Sequence, residues 1–512
     1  MIDDHRRAVA FAALITAFGF AVPVHAQMPA PALDGPASVP TVTAPAPPPP
    51  NVDSRFLGRL SFKDGYPTVE TVQRLYDQLD FQRGTQVFLR NLPALSMYGL
   101  RLGLARDLGV DSVSKFAIFR ADANSLMLTP NSETLYGTTF LALDTDGPTV
   151  VEAPPGVLGL VNDMWMRPVE DIGPGGPDHG KGGKYIFVPP GYAGVLPETG
   201  YFIVRMQTYG GWVFIRALLD PSGNVAPAET LLKQMRIYPL SRKDAPPPMT
   251  FVEASGKPFD STPPNDIRYF EMLADLIARE DAHAVDPEVA GMMRAIGIEK
   301  GKPFAPDSRL KPILAEAAQV GSFMAQAVSY APRDPERVRA GSHWMAGIAG
   351  YPTFADGRST LLDEMIYMSW FATGAAKAMG APKPGTGSQY AWTYYDATGE
   401  WLLGEKTYRF RIPPHPPAKD FWSVLAYDNW TRSILANGQK VAGKNSYDKA
   451  IQANADGSID IYFGPNPPPG KESNWVRTIP GKGWFAMFRL YGPLLPWFDR
   501  TWTPDDIAAV AQ

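Results

Sequence analysis

The segment of residues 129–137 brings together side chains that could act on a polar ligand. Asn131, Glu133 and Tyr136 place an amide, a carboxylate and a phenol where a predicted loop enters a predicted strand. The carboxylate could serve as a general acid or base, while the amide and the phenol could orient a ligand. The alternative is a local turn in which Asn and Ser side chains bond to their own backbone.

A second candidate set lies in residues 162–167. If this segment is a strand, its side chains alternate, and Asp163, Trp165 and Arg167 share the face opposite two methionines. A carboxylate, an indole and a guanidinium on one face suit a sugar or a carboxylate ligand. The alternative is an internal Asp–Arg ion pair over which the indole packs.

Residues 171–185 form a glycine-rich segment that precedes a predicted strand. Its backbone N–H groups could face an anion, to which Lys184 would add positive charge. His179 is a candidate acid or base. Asp171, or Asp163, could pair with Glu133 as the two carboxylates of a hydrolase, which must lie roughly 5 to 10 Å apart. The alternative is a flexible turn in which the histidine has no role.

The C-terminal third adds four candidate ligand-binding residues, which are Tyr427, Trp475, Arg489 and Tyr491. Aromatic side chains in such a segment form either a hydrophobic core or a platform for a ligand. Arg489 lies between two apolar residues of a predicted strand. An unpaired buried charge is costly, so this arginine requires a carboxylate or a ligand as its partner.

Composition excludes several kinds of chemistry. The chain has no cysteine, so thiolate metal sites and disulfides are absent, and a net charge of −4 argues against a nucleic-acid partner. Of the 6 histidines, His5 and His25 fall in the first 26 residues, and no two of the others have a short metal-ligand spacing. We expect neither a metal nor a cofactor, because no phosphate-binding, dinucleotide-binding or nucleophile-elbow motif is present.

The elements that must position these residues are mainly strands, with helices between two groups of them. We predict an N-terminal β-sandwich over residues 56–260, a helical segment over 261–385 and a C-terminal jelly-roll-like β domain over 386–512. Apolar runs predict strands at 138–143, 156–166, 185–188, 201–206, 212–218, 390–395, 407–412, 421–427, 458–463 and 484–490. Helical spacing predicts helices at 68–84, 86–104, 309–330 and 360–379, and from 267 and 287.

The N-terminus resembles an export signal. Arg6-Arg7, an apolar run over 8–22 and small residues before Ala26 predict a signal peptide over 1–26 and a periplasmic or secreted mature protein, by the general or the twin-arginine route. A membrane anchor is the alternative, but the run is short for it, and we expect no transmembrane segment in the mature protein. Residues 27–55 are a Pro/Ala-rich linker, either a spacer or an unselected terminus.

Six motifs in order resemble a bacterial family that joins domain of unknown function 1254, N-terminal, to domain of unknown function 1214, C-terminal. They are residues 130–136, 173–185, 421–428, 456–458, 474–475 and 489–493. The resemblance implies the two β domains with helical additions, and it carries no settled activity. Glu133 stands where we expect Asp in the family pattern, and the extra methylene changes the reach of that carboxylate.

Three functions remain open at this point. The first is an exported protein that binds or processes a small polar, carbohydrate-like ligand in a cleft between the β domains. The second is a carboxylate-dependent hydrolase, and the third is a structural envelope or assembly protein without a sizeable pocket. Whether the protein is an enzyme, and whether it forms a homo-oligomer, are left open.

Overall fold

A computed structural model describes residues 45–220 and 222–510. The predicted signal peptide and residues 27–44 of the predicted linker lie outside the described residues. The chain divides into two compact units, one that ends at Thr68 and one that begins at Val69. In the first unit, β1 (Asn51–Ser54), β2 (Gly58–Lys63) and β3 (Tyr66–Pro67) form an antiparallel sheet. The last residues of the predicted linker, 51–55, thus include the strand β1.

The first part of the second unit contains two long helices followed by most of the strands of two sheets. In chain order its elements are α1 (Val69–Arg90), α2 (Leu92–Leu108), β4 (Lys115–Phe119), β5 (Ser125–Leu126), β6 (Thr134–Ala142), α3 (Leu143–Asp146), β7 (Thr149–Ala153), β8 (Leu158–Asp163), β9 (Pro168–Ile172), β10 (Gly183–Val188), β11 (Phe202–Arg205), β12 (Gly210–Leu218), α4 (Ala226–Leu232), β13 (Arg236–Pro239), β14 (Thr250–Glu253) and β15 (Phe259–Asp260).

The rest of the unit consists of helices and then a second group of strands. In chain order its elements are α5 (Ile267–Arg279), α6 (Pro287–Ala295), α7 (Leu310–Tyr330), β16 (Glu336–Arg337), β17 (Met345–Gly347), β18 (Ala355–Asp356), β19 (Ser359–Thr360), α8 (Leu362–Phe371), β20 (Ser388–Thr393), β21 (Tyr408–Ile412), β22 (Ala418–Asp428), β23 (Gly443–Asn445), β24 (Ile459–Gly464), β25 (Trp475–Arg477), β26 (Trp484–Pro493), α9 (Leu495–Phe498) and β27 (Ala508–Ala509). Short 3-10 helices lie at Leu240–Arg242, Ala282–Ala284, Lys377–Gly380 and Glu472–Asn474.

Each strand predicted from the sequence overlaps an observed strand, and the mainly β class with helical additions is confirmed. The first group of strands forms a six-stranded sheet, in the order β14-β4-β6-β12-β8-β9, and a four-stranded sheet, β11-β10-β7-β13. Pairing is antiparallel except between β10 and β11 and between β4 and β14. Val213 and Ile215 of β12 point into a core shared by these two sheets, while Trp212 and Phe214 point the other way, into a larger core.

The second group of strands also forms two sheets, ordered β16-β17-β20-β26-β22-β23 and β25-β24-β21-β27. Aromatic side chains join them, since Phe410 and Phe488 have ring centroids 5.7 Å apart and Phe463 and Trp484 4.7 Å apart. The opposite face of β26 carries Met487, Arg489 and Tyr491 in alternation. That face belongs to the candidate site.

Helices α5 and α6 begin at the predicted residues, 267 and 287, and α7 ends at Tyr330 as predicted. Asp266 and Asp286 cap α5 and α6 by accepting backbone N–H groups of the first turn. Gly84 was predicted to end α1, but the helix continues to Arg90 because Gly84 is a close-packing position, where a Cβ would press on Ala317 of α7. Pro93 lies in the first turn of α2 and causes no kink in its interior.

The predicted helix over residues 360–379 is shorter than expected, because α8 ends at Phe371. Gly374 follows with a φ of +97°, a backbone conformation that a helix does not contain, and the ring of Trp212 leaves little space for a side chain there. The chain can therefore pass close to β12 at this point. Within residues 45–220 and 222–510, no helix is both long and apolar enough to cross a lipid bilayer.

One buried carboxylate ties the helical segment to the first group of strands. Glu280 is 1% exposed and follows α5. Its carboxylate accepts the backbone N–H groups of Tyr209, at 2.6 Å, and of Gly210, at 2.9 Å. Burial raises the pKa of Glu280 to about 6, against the lowering effect of these two hydrogen bonds.

Candidate functional site

A cavity of about 410 Å³ lies between the inner faces of β6 and β12 on one side and of β20 and β26 on the other. Its apolar wall includes Leu160, Phe214, Phe371, Trp392 and Met487. A volume of this size falls in the range of small-molecule sites, which are mostly apolar with a few placed polar groups. The lack of a sizeable pocket would have favoured the assembly hypothesis, and this cavity gives it no such support.

The turn that precedes β6 is held by residues from the second group of strands. The side-chain amide of Asn131 donates to the hydroxyl of Tyr491, and the hydroxyl of Tyr427 donates to the carbonyl of Pro130 at 2.6 Å. The backbone N–H of Asn131 donates in turn to the hydroxyl of Tyr136 at 2.8 Å. We call residues 129–133 the interdomain turn. Four predicted residues from three motifs, Asn131, Tyr136, Tyr427 and Tyr491, therefore meet here.

Arg489 also reaches the interdomain turn. Its Nη2 donates to the carbonyl of Thr129 at 3.2 Å, and its guanidinium lies over the rings of Tyr390, at 5.8 Å, and Tyr427, at 5.5 Å. The residue is 2% exposed, and its Nη1 is buried with no hydrogen-bond partner in the described part of the chain. Among the described residues, no carboxylate lies within ion-pairing distance of Arg489. The partner that the sequence required is therefore not a protein carboxylate.

A second arginine faces the same cavity. Arg216 lies on β12 directly opposite Tyr136 of β6, and like Arg489 it lines the cavity. Its Nε is buried with no hydrogen-bond partner, and within the described ranges it forms no ion pair. Arg216 and Arg489 have the phenols of Tyr136, Tyr390 and Tyr491 as common electrostatic neighbours. Arg216 was not among the residues predicted from the sequence.

Three phenols around these arginines, those of Tyr136, Tyr427 and Tyr491, are neutral at physiological pH. Burial raises the pKa values of Tyr136, Tyr427 and Tyr491 above the usual range of tyrosine. For Arg489, burial lowers the pKa and the phenols raise it, and the net direction is upward, so the guanidinium stays charged. The cavity thus carries two positive charges that nearby phenolates do not offset.

The rim of the cavity carries an acidic residue and a further arginine. Glu336 of β16 and Arg500 form an ion pair with a separation of 3.4 Å between Oε1 and Nη2. Arg500 also lies over the ring of Trp497, 5.4 Å from its centroid, and its Nη1 is buried without a hydrogen-bond partner among the described residues. The side chain of Glu336 is about half exposed, at 55%. The sequence analysis named none of these three residues.

Glu133 lies on the far side of the interdomain turn from the cavity. It is 6% exposed, and its carboxylate accepts hydrogen bonds from Asn445 Nδ2 at 2.7 Å and from Ser132 Oγ at 3.0 Å. Its backbone N–H donates to Asn131 Oδ1 at 3.0 Å, a local turn of the kind that the sequence offered as the alternative. Glu133 joins the two groups of strands and does not line the cavity.

The second predicted set adopts the arrangement given as its alternative. The strand assignment through residue 167 is wrong, because β8 ends at Asp163 and the chain turns at Met166, whose φ is +59°. Asp163 accepts the backbone N–H groups of Trp165 and Arg167, at 2.8 and 3.0 Å, and pairs with Arg167 Nε at 2.5 Å. The carboxylate fixes the turn, and none of these residues lines the 410 Å³ cavity.

The residues predicted in the glycine-rich segment are dispersed. Asp171 accepts the backbone N–H groups of Lys377, at 3.1 Å, and Ala378, at 2.7 Å, and burial raises its pKa. His179 is exposed, with a φ of +50°. Lys184 pairs with Glu152 at 2.9 Å across the four-stranded sheet. None of the three predicted residues lines the cavity.

Trp475 is also outside the cavity. Its indole N–H donates to the carbonyl of Gly464 at 2.8 Å, and the guanidinium of Arg477 lies 5.3 Å from its ring centroid. As for metals, the described residues contain no group of three or more His, Cys, Asp or Glu side chains that could hold an ion. The charged groups of the cavity are therefore arginines and one rim carboxylate, and they lie among tyrosines and neutral polar side chains such as Asn131 and Gln389.

Of the cavity residues that were not predicted, Arg216 could have been recognised from the sequence. It stands in the apolar run Trp212-Val213-Phe214-Ile215-Arg216-Ala217, as Arg489 stands between Phe488 and Leu490. The same argument about the cost of a buried charge applies to both arginines. Glu336, Tyr390 and Arg500 had no comparable signal, since nothing in the sequence shows which sheet face or loop borders a cavity.

Comparison with known proteins supports the fold and gives no activity. Residues 113–239 match the model of DUF1254 and residues 387–495 that of DUF1214, each described as a protein of unknown function. No curated protein matches the chain. A crystal structure of the VPA0106 protein from Vibrio parahaemolyticus is similar, with a TM-score of 0.50 and 20% identity over 84% of this chain and 100% of that chain.

A crystal structure of an uncharacterised protein from Burkholderia cenocepacia is more distant. Its TM-score is 0.36 and its identity 13%, over 85% of this chain and 96% of that chain. The two family matches fall in the two groups of strands that enclose the cavity. The chain therefore carries a DUF1254 domain followed by a DUF1214 domain, in the order that its motifs predicted.

Proposed function

We propose that this protein binds a small polar ligand that carries an anionic group, in the cavity between its DUF1254 and DUF1214 domains. Arg216 from the first domain and Arg489 from the second hold the anionic group. The observation that carries this proposal is that both guanidinium groups line one cavity, each with a buried nitrogen that has no hydrogen-bond partner among the described residues.

The physical reason is the cost of a buried charge. A guanidinium removed from water loses several kcal/mol of hydration, and neutral phenols return only part of it. A carboxylate, sulfate or phosphate group would supply the missing charge and accept the free N–H donors. Arginine suits such a group because its planar fork can donate two parallel hydrogen bonds.

The apolar wall indicates what the rest of the ligand is like. Aromatic and aliphatic side chains such as Phe214, Phe371 and Trp392 offer flat surfaces and no hydrogen-bonding demand. A ring or short carbon skeleton can pack against them while its anionic group meets the arginines. The sequence predicted a polar, carbohydrate-like ligand, and we propose more specifically that this ligand carries an acidic group.

Matched acidic and neutral compounds test the proposal. We expect benzoate, cyclohexanecarboxylate and glucuronate to raise the melting temperature of the protein, and benzyl alcohol, cyclohexanemethanol and glucose to raise it less. The double variant Arg216→Met/Arg489→Met should lose the preference for acids. The control is Arg477→Met, which removes an exposed arginine that also lies over an aromatic ring, and it should keep the preference.

The proposal fails if none of the acids stabilises the wild-type protein, or if the double variant keeps the whole effect. Calorimetric titration with the most stabilising acid then gives the stoichiometry, which we expect to be one ligand per chain.

We further propose that the protein is exported. The support is the sequence of residues 1–26, with paired arginines, an apolar run and small residues before Ala26. Expression of the full chain in a bacterial host, followed by N-terminal sequencing of the periplasmic and culture fractions, should give a mature terminus at Gln27. Recovery of the full chain with Met1 in the cytoplasmic fraction alone would contradict export.

A further inference from the structure

One row of residues crosses the sheet of the DUF1214 domain beneath the cavity. Glu336 of β16 pairs with Gly347 of β17, and Tyr390 of β20 pairs with Arg489 of β26. The pairing of Met345 with Trp392 sets the register between β17 and β20, and its continuation by two residues brings Gly347 opposite Tyr390. Residues that face each other on antiparallel strands project from the same side of the sheet. The row therefore presents a carboxylate, a phenol and a guanidinium to one cavity.

Gly347 determines where the carboxylate of this row lies. A Cβ at this residue would overlap both carboxylate oxygens of Glu336. The absence of a side chain thus lets Glu336 lay its carboxylate across β17, toward Tyr390 and the cavity. Strands are about 4.8 Å apart, so the place above Gly347 is about 10 Å from the backbone of Arg489.

The Glu336 carboxylate and Arg489 thus lie at the two ends of a row that spans two strand spacings, and a small ring can lie between them. Tyr390 lies between the two ends, and Trp497 lines the same cavity near the rim. Both are amphipathic rings that can face the C–H groups of a saturated ring.

The rim pair offers both kinds of hydrogen-bonding group. Glu336 is an acceptor, and Arg500 is a donor whose Nη1 is buried without a partner among the described residues. The ion pair between them neutralises their charges, so this end of the cavity does not require a charged group on the ligand. A hydroxyl group both donates and accepts, and adjacent hydroxyls on one ring match an adjacent acceptor and donor.

We infer that the ligand class is a hydroxylated ring acid, such as a sugar acid, with its acidic group at Arg216 and Arg489 and its hydroxyl groups at Glu336 and Arg500. This inference rests on the proposed function and adds that hydroxyl groups, and not the anionic group alone, are recognised. Gly347 is then a specificity-determining residue, because it gives the carboxylate of Glu336 access to the cavity.

Three probes separate the two ends of the site. Glucuronate has the acidic group and the hydroxyls, cyclohexanecarboxylate has the acidic group on a ring without hydroxyls, and glucose has the hydroxyls without the acid. By calorimetric titration of the mature chain, we expect glucuronate to bind at least tenfold more tightly than either of the others.

Variants locate the hydroxyl preference. Gly347→Ala should displace the Glu336 carboxylate and weaken glucuronate binding at least tenfold, while the affinity for cyclohexanecarboxylate changes less than twofold. The variant should fold, because the overlapping atoms are the end of a flexible, half-exposed side chain. Glu336→Ala removes the same group without altering β17 and should reproduce the result. The control Gly291→Ala adds a methyl where nothing lies within 4 Å and should change neither affinity.

The possible results are distinguishable. Equal affinity of the wild-type protein for glucuronate and cyclohexanecarboxylate overturns this inference and leaves the proposed function standing. An unchanged affinity for glucuronate in both Gly347→Ala and Glu336→Ala also overturns it. If neither acid binds, the proposed function fails, and this inference fails with it.

Discussion

Replacement of Arg489 by methionine should separate a ligand-binding arginine from a structural one. In the ligand-free protein the guanidinium donates a hydrogen bond to the carbonyl of Thr129 at 3.2 Å and lies over two tyrosine rings at 5.5 and 5.8 Å. Arg489→Met removes these contacts and also removes a charge that is 2% exposed and lacks a carboxylate partner in the described part of the chain. Loss of the contacts lowers the free energy of unfolding, whereas removal of the unpaired buried charge raises it.

The two contributions to the free energy of unfolding nearly cancel. Loss of a charge-assisted hydrogen bond costs about 1.5–3 kcal/mol, and loss of two buried cation–π contacts costs about 1–3 kcal/mol together. Relief of the desolvation of the charge returns several kcal/mol, and methionine fills part of the vacated volume. We therefore expect the free energy of unfolding of the ligand-free protein to change by less than about 2 kcal/mol, as measured by urea denaturation.

Arg489→Met should affect the affinity for an acidic ligand much more than it affects stability. Truncation of one partner of a buried, hydrogen-bonded charge pair costs about 2–5 kcal/mol, which is a loss of affinity of roughly 30-fold to a few thousand-fold at 1.4 kcal/mol per factor of ten. Calorimetric titration with cyclohexanecarboxylate measures it. Arg489→Lys keeps the charge without the planar fork and should fall between the wild-type protein and Arg489→Met.

The opposite pattern would refute the reasoning. If Arg489→Met lost more than about 4 kcal/mol of stability without ligand, the relief of desolvation would not offset the lost contacts, and the guanidinium would be a structural group. A variant that kept the wild-type affinity for cyclohexanecarboxylate would remove Arg489 from the binding site. Arg477→Met serves as the control in both assays.

Three further outcomes follow from single contacts. Gly137→Ala should lower the free energy of unfolding by about 1–3 kcal/mol, because its Cβ would overlap the ring of Phe116. Tyr427→Phe should lower it by about 1–2 kcal/mol through loss of the buried bond to Pro130. The pKa of Glu280 is raised from 4.5 to about 6, so the folded state binds its proton more tightly and stability falls as pH rises between these values. That fall is about 2 kcal/mol, and Glu280→Gln should remove it from the pH profile of urea denaturation.

Each of these outcomes has a contrary result. Wild-type stability for Gly137→Ala would show that the Phe116 ring can move aside at no cost. An unchanged Tyr427→Phe variant would mean that the hydroxyl adds nothing to the interdomain turn. Identical pH profiles for the wild-type protein and Glu280→Gln would assign the acid-side stability to other groups.

The sequence predicted strands better than it predicted the site. The sequence is sufficient to locate β26, because a strand buried on both faces leaves a nearly continuous apolar stretch, whereas β20 is buried only over its last three residues. Arg489 could be singled out for the same reason, since a charge in such a stretch requires a partner. Ends of elements were less accessible: the turn after Asp163 depends on a positive φ at Met166, which no residue preference indicates.

Assembly of the site could not be derived from local patterns. Asn131 and Tyr491 are far apart in sequence, and their hydrogen bond depends on how two sheets pack. Carboxylates such as Asp163 and Asp171 have the same residue type whether they meet a ligand or a backbone N–H, and here both meet backbone N–H groups. Only the packing shows that Arg216, Arg489 and Tyr390 line one cavity.

The interdomain turn makes the two domains inseparable as working parts. Tyr427 and Arg489, from the second domain, hold the backbone of the first at Pro130 and Thr129, while Arg216 of the first completes the wall. A fragment with either domain alone would keep half of each contact and enclose no cavity. Exchange of one domain between homologues should therefore preserve ligand binding only where the incoming domain supplies the tyrosine hydroxyl and the guanidinium. A substitution at one of these positions should be tolerated only together with a compensating substitution at its contact in the other domain.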